Sequence, residues 1–172
     1  MSETTIAGYG FTIRLPDGWE GRIFRRPTPT DAFTPANRNS PDPDVGADGW
    51  LGERPRAVVH LADFALPPQR GDYGSGAVEI MGRLNCFVSL VEFGSECRGT
   101  ALYGTVGLPR VRPEQFGPNA LARRLPGQTG VQLFFTESSR PLCLYVVIGS
   151  DREVASSSTR VNQILDRVTV AA

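Results

Sequence analysis

The chain contains no lysine: every basic residue is arginine. A P-loop sets a lysine on the terminal phosphates, a protein kinase needs one on its third strand, and pyridoxal phosphate enzymes need one for the Schiff base. All three are excluded. Histidine is nearly as scarce. His60 stands alone, so paired-histidine zinc motifs and the three-histidine catalytic zinc site lack their ligands. Cys86, Cys97 and Cys143 are odd in number and form no C-x-x-C pair, which reads as reduced thiols behaving as small hydrophobes. There is no G-x-S-x-G elbow and no G-x-G-x-x-G loop. No run approaches the roughly 18 apolar residues of a spanning helix, and the start, MSETTIAGYG, has neither the basic nor the apolar region of a signal peptide. The expectation is a cytoplasmic protein without membrane insertion. A formal net charge of zero removes the long-range attraction that phosphate backbones rely on, so nucleic acid is not an expected partner.

What is present suits one globular domain over residues 1–172. Hydrophobic residues make up 40% of the chain and charged ones 21%, enough to build a core without a disulfide or metal staple. Tyr9, Phe11, Ile13 and Leu15 alternate with polar residues, predicting a half-buried strand over 9–15. Pro16-Asp17-Gly18 supplies a turn, Trp19 is expected to be largely buried beside that strand, and a second strand is expected over 22–26 as a hairpin or corner. The segment 56–64 (RAVVHLADF) is apolar on both faces, as a central strand should be. A short helix over 77–84 with Ser75 as N-cap precedes a strand over 86–93. Strands over 131–136 and 142–148 are joined through residues 138–141 as an antiparallel hairpin with a loop of four or five residues. Ser150 and Glu153 have the spacing of a capping box. Val154, Val161, Leu165 and Val168 then give an apolar stripe along a helix over 151–166, before a short edge strand at 168–170.

Two stretches depart from this pattern. Residues 27–55 are proline-rich and acidic, with Asp31, Asp42, Asp44, Asp48 and Glu53 around the large side chains Phe33 and Trp50. Residues 94–130 are irregular and arginine-rich, with Arg98, Arg110, Arg112, Arg123 and Arg124 beside Phe116, Leu121 and Leu125. Loops on a rigid scaffold commonly carry binding function, and arginine with aromatics is enriched at interfaces. Phe33, Trp50, Arg110, Arg112, Phe116, Arg123 and Arg124 are therefore the candidate partner-binding residues. The two stretches could be solvated loops that bind nothing, dock on each other, or meet a partner of opposite charge.

Antiparallel strands with a strong C-terminal helix argue an α+β fold. The opening Gly10, Phe11, Ile13, Pro16 and Trp19, together with Val161, Asn162, Ile164 and Leu165 before the last strand, resembles the Mog1/PsbP/DcrB-like superfamily. The resemblance implies an antiparallel sheet flanked by helices in an α/β/α sandwich. It also implies a non-enzymatic binding scaffold, of which cytosolic type VI effector chaperones are one kind.

No catalytic constellation, cofactor or metal is expected. His60 lies mid-strand beside Val58, Ala62 and Phe64, with Asp63 near in sequence, and reads as a hydrogen-bonded structural residue. The leading functional reading is a protein-binding adaptor or chaperone-like module serving a secretion or contractile injection apparatus, with homo-oligomers allowed. The competing readings are a structural subunit of a larger assembly and an enzyme built around His60.

Overall fold

The structure is a computed structural model that describes residues 4–26 and 56–172. The proline-rich stretch, with Phe33 and Trp50, lies outside the described residues. Among the described residues eight strands and one α-helix follow in order: β1 (Thr4–Gly8), β2 (Phe11–Leu15), β3 (Glu20–Arg25), β4 (Ala57–Ala62), β5 (Cys86–Glu92), β6 (Thr129–Glu137), β7 (Arg140–Ile148), α1 (Val154–Leu165) and β8 (Val168–Val170). They form two sheets, a five-stranded one in the order β3-β4-β5-β7-β6 and a three-stranded one in the order β1-β2-β8. Every strand pairing is antiparallel. Among the described residues no helix is long and apolar enough to cross a membrane.

The middle of the large sheet is apolar on both faces, and the register explains how each face is used. Val59, Leu61, Val88, Leu90, Leu144 and Val146 join Phe11, Ile13 and Leu15 of β2 and Val161, Ile164 and Leu165 of α1 in one core. Each such side chain, fully withdrawn from water, contributes roughly 1.5–3 kcal/mol. On the opposite face Ala62, Phe87, Tyr145 and Val147 pack under Leu66, Ala77, Val78 and Leu121. The covering layer on that side consists of irregular chain and short 3-10 turns, with no α-helix among the described residues. Among the described residues the chain thus builds antiparallel β with one C-terminal α-helix.

Several expectations change in detail. The 9–15 segment belongs to the smaller sheet, because Thr4–Gly8 is a strand that pairs with it and β8 pairs on its other side. Tyr9 does not share the inward face of Phe11, Ile13 and Leu15. It occupies the turn between β1 and β2 and is 47% exposed. Of the hairpin and the corner expected between β2 and β3, the corner is found, since the two strands sit in different sheets. Trp19 is only partly buried, packing on the rim of the core. The helix expected over 77–84 is one 3-10 turn, Val78–Ile80, without a side-chain cap.

The β6–β7 loop is shorter than expected. Only Ser138 and Ser139 lie between the strands, both with positive φ as a type I′ turn requires. The capping box also differs: the Ser150 hydroxyl accepts from Arg152 N–H at 3.3 Å, while the Ser156 hydroxyl donates to the Glu153 carboxylate at 3.1 Å. The apolar stripe of α1 runs through Val161, Ile164 and Leu165, and Val168 has already passed into β8.

Candidate functional site

Antiparallel order gathers the ends of β3 and β5 and the starts of β4 and β7 at one end of the large sheet, with Arg25 opposite Ala57 and Glu92 opposite Leu142. The tip of the β1–β2 hairpin reaches the same place. Between them lies a cleft of about 650 Å³ whose charged lining is four arginines (Arg25, Arg56, Arg98 and Arg140) against Glu92 and Glu96.

The floor is a built ionic joint. Arg140 donates from Nε to Glu92 Oε1 at 2.8 Å and from Nη2 to Oε2 at 2.9 Å, a bidentate pair with side chains only 10% and 20% exposed. Ala57 N–H adds a third hydrogen bond to Glu92 at 3.0 Å. Burial alone would raise the Glu92 carboxyl. The hydrogen bonds from Arg140 and Ala57 and the charges of Arg140 and Arg56 outweigh burial, holding the group below its ordinary value. The Arg140 guanidinium also lies over the Phe11 ring at 4.5 Å and donates to Ala171 C=O at 3.4 Å. One side chain therefore ties β7 to β5, β2 and the segment after β8. Gly10 makes this possible, since a Cβ there would collide with the Arg140 guanidinium.

The walls are less committed. Arg56 pairs with Glu96 at 3.2 Å above Gly94, where a Cβ would strike both partners. Arg25 stacks on the Tyr9 ring at 4.5 Å. Arg25 and Arg98 are exposed, and among the described residues neither has a carboxylate partner. Tyr9 holds φ 50° and Gly10 φ 82°. Two positive φ values suit a type I′ hairpin, a position that favours Asn, Asp or Gly over an aromatic residue. Exposed tyrosine at a strained turn, beside uncompensated arginines, has the composition of a protein-binding patch.

The residues expected from the sequence are dispersed elsewhere. Arg110 pairs with Asp166, and Arg112 pairs with Glu114 at 3.3 Å; both line a recess with Leu133, Phe134 and Asn162. Phe116 is partly buried against the main core. Arg123 pairs with Glu79 at 2.9 Å, and Arg124 donates to Asn119 at 2.6 Å beside a separate recess containing Asp151. Of the arginine-rich stretch only Arg98 reaches the cleft. Tyr9, Arg25, Glu92 and Arg140 carried no sequence signal as a group, because they come from four strand ends that only the register unites.

His60 is fully buried. Its Nδ1 accepts from Arg70 Nε at 3.1 Å, and its Nε2 stands 3.0 Å from Asp72 C=O. Arginine is always a donor, so the ring is neutral with its proton on Nε2, donated to that carbonyl. Phe24 and Phe87 meet the ring edge-on, each 5.0 Å away. Burial drives the pKa down to about 4, opposed by the Asp72 carbonyl and assisted by the Arg70 charge. Asp63 serves Asn85, Cys86 and Arg160 instead of His60. Both imidazole nitrogens are thus engaged in holding the 66–78 segment on the sheet. Burial pushes the thiols of Cys86 and Cys143 up to about 11, with the Asp63 charge adding to the effect at Cys86. Cys97 is the most exposed of the three.

No family model, curated protein or solved structure matches this chain.

Proposed function

We propose that this chain is a non-catalytic protein-binding module of the adaptor or chaperone kind, and that it docks its partner at the cleft between the β1–β2 tip and the ends of β3, β5 and β7. The observation that carries the reading is Tyr9: an exposed aromatic side chain in a left-handed turn position, stacked on Arg25 at the mouth of an arginine-lined cleft. Rigid strand ends preorganise the patch, which reduces the ordering cost of association. The engagement of both His60 nitrogens argues against an enzyme built around that residue.

A Mog1/PsbP-like assignment, with service to a secretion or injection apparatus, is part of the same proposal. Its support is that the resembling residues fall on β2 with the turns on either side of it and on α1, and that β2 pairs with β8 immediately after α1. The test is a photo-crosslinking amino acid placed at position 9 in the native host, with the same probe at Leu102, an exposed residue outside the cleft lining, as control. Position 9 is expected to capture a defined protein that position 102 does not. Capture at 102 alone would move the interface away from the cleft, and the reading would fall.

A further inference from the structure

We infer that the segment received by the cleft is acidic: a carboxylate-rich stretch of a partner protein that pairs with Arg25 and Arg98 while packing against Tyr9. The inference rests on the protein-binding reading and specifies its chemistry. Its basis is a charge account within the cleft. Glu92 is consumed by Arg140 and Ala57 N–H, and Glu96 by Arg56. Arg25 and Arg98 then remain, exposed on the walls, with no carboxylate partner among the described residues. This contrasts with Arg110, Arg112 and Arg123, which all meet carboxylates of their own chain.

A partner carboxylate at Arg25 or Arg98 displaces no internal ion pair, so its attraction is not offset by breaking one. Guanidinium groups donate to carboxylates in a planar, two-point geometry, and Arg25 already sits over an aromatic ring that can serve as the apolar part of the contact. A peptide is favoured over nucleic acid because the whole chain carries no net charge, leaving the cleft as a local positive patch without a surrounding field.

The test uses the full chain and a fluorescein-labelled hexaglutamate peptide at low ionic strength, read by anisotropy, with hexalysine as control. Saturable binding of hexaglutamate alone is expected, weakening steeply with added salt. Arg25→Glu and Arg98→Glu should each weaken it by about tenfold, while Arg124→Glu, outside the cleft, should leave it unchanged. Thermal melting of each variant confirms that the fold is intact.

Equal binding by parent, R25E and R98E would overturn the inference. So would competition by inorganic phosphate at matched carboxylate concentration, which would define a small-anion site. A third overturning result is binding that appears only when Asp31, Asp42, Asp44, Asp48 and Glu53 are replaced by their amides, for then the chain's own acidic stretch is the occupant. Capture at position 9 without hexaglutamate binding would leave the module reading standing and remove the acidic partner alone.

Discussion

A buried histidine and a partly buried glutamate lose stability to acid in adjacent pH ranges. His60 has its folded pKa lowered from 6.5 to about 4. The unfolded chain therefore takes up the proton first, and stability falls as pH drops from about 6.5 towards 4, by about 3 kcal/mol in all. Glu92 is lowered relative to its ordinary 4.5, so its contribution is present above that value and is lost as pH falls through the depressed folded pKa. Urea midpoints measured from pH 7 to pH 3 should show both losses. His60→Phe should flatten the upper range even though it lowers stability overall. Glu92→Gln should leave the upper range sloping and flatten the lower one. At neutral pH Arg140→Ala is expected to cost about 3–5 kcal/mol, because it strands a buried carboxylate. A midpoint shift equivalent to under about 1 kcal/mol, the scale of a surface pair, would show that the joint is not a buried one.

Among the elements, the β1–β2 turn sets stability against binding. A tyrosine at φ 50° stands where asparagine or glycine fits without strain, so Tyr9→Asn should stabilise the protein by about 1 kcal/mol. For a domain of this size that amounts to a rise in Tm of roughly 2–4 °C, and the same change should abolish co-purification of the protein that the probe at position 9 captures. A lower Tm would mean that the Arg25 stack outweighs the strain. At the other end of the chain, Ser150→Ala should cost about 1 kcal/mol through its hydrogen bond to Arg152 N–H.

The strands legible in the sequence were those whose apolar residues declare themselves: 57–62, 86–92 and the hairpin through Leu133 and Leu144. Thr4–Gly8 was not legible, because only Ile6 in TTIAG is strongly apolar and its pairing is supplied by β2. The short β6–β7 loop was hidden for a different reason. Arg140 reads as a loop residue until Glu92, 48 positions earlier, draws it into the sheet.

For the whole molecule, β3 and β4 are paired neighbours in the large sheet at the place where residues 27–55 leave and return. Arg26 N–H donates to Arg56 C=O at 3.0 Å, so the two ends of that stretch are hydrogen-bonded neighbours. Replacing 28–54 with a short Gly/Asn linker should therefore leave one cooperative melting transition. A loss of cooperativity would show that the stretch is integral to the core. The candidate cleft was invisible in the sequence for a topological reason. Its arginines lie at 25, 56, 98 and 140, and local pattern does not report which strand ends share an edge.

The pairing of β2 with β8 joins residues 11–13 to residues 168–170. During synthesis on the ribosome, one edge of the β1–β2 hairpin must wait bare while more than a hundred further residues are made. The threonine and arginine that alternate with its apolar side chains, Thr12 and Arg14, keep one face of that waiting strand hydrated. Its backbone nevertheless stays open to any other extended chain until α1 has emerged and delivered β8.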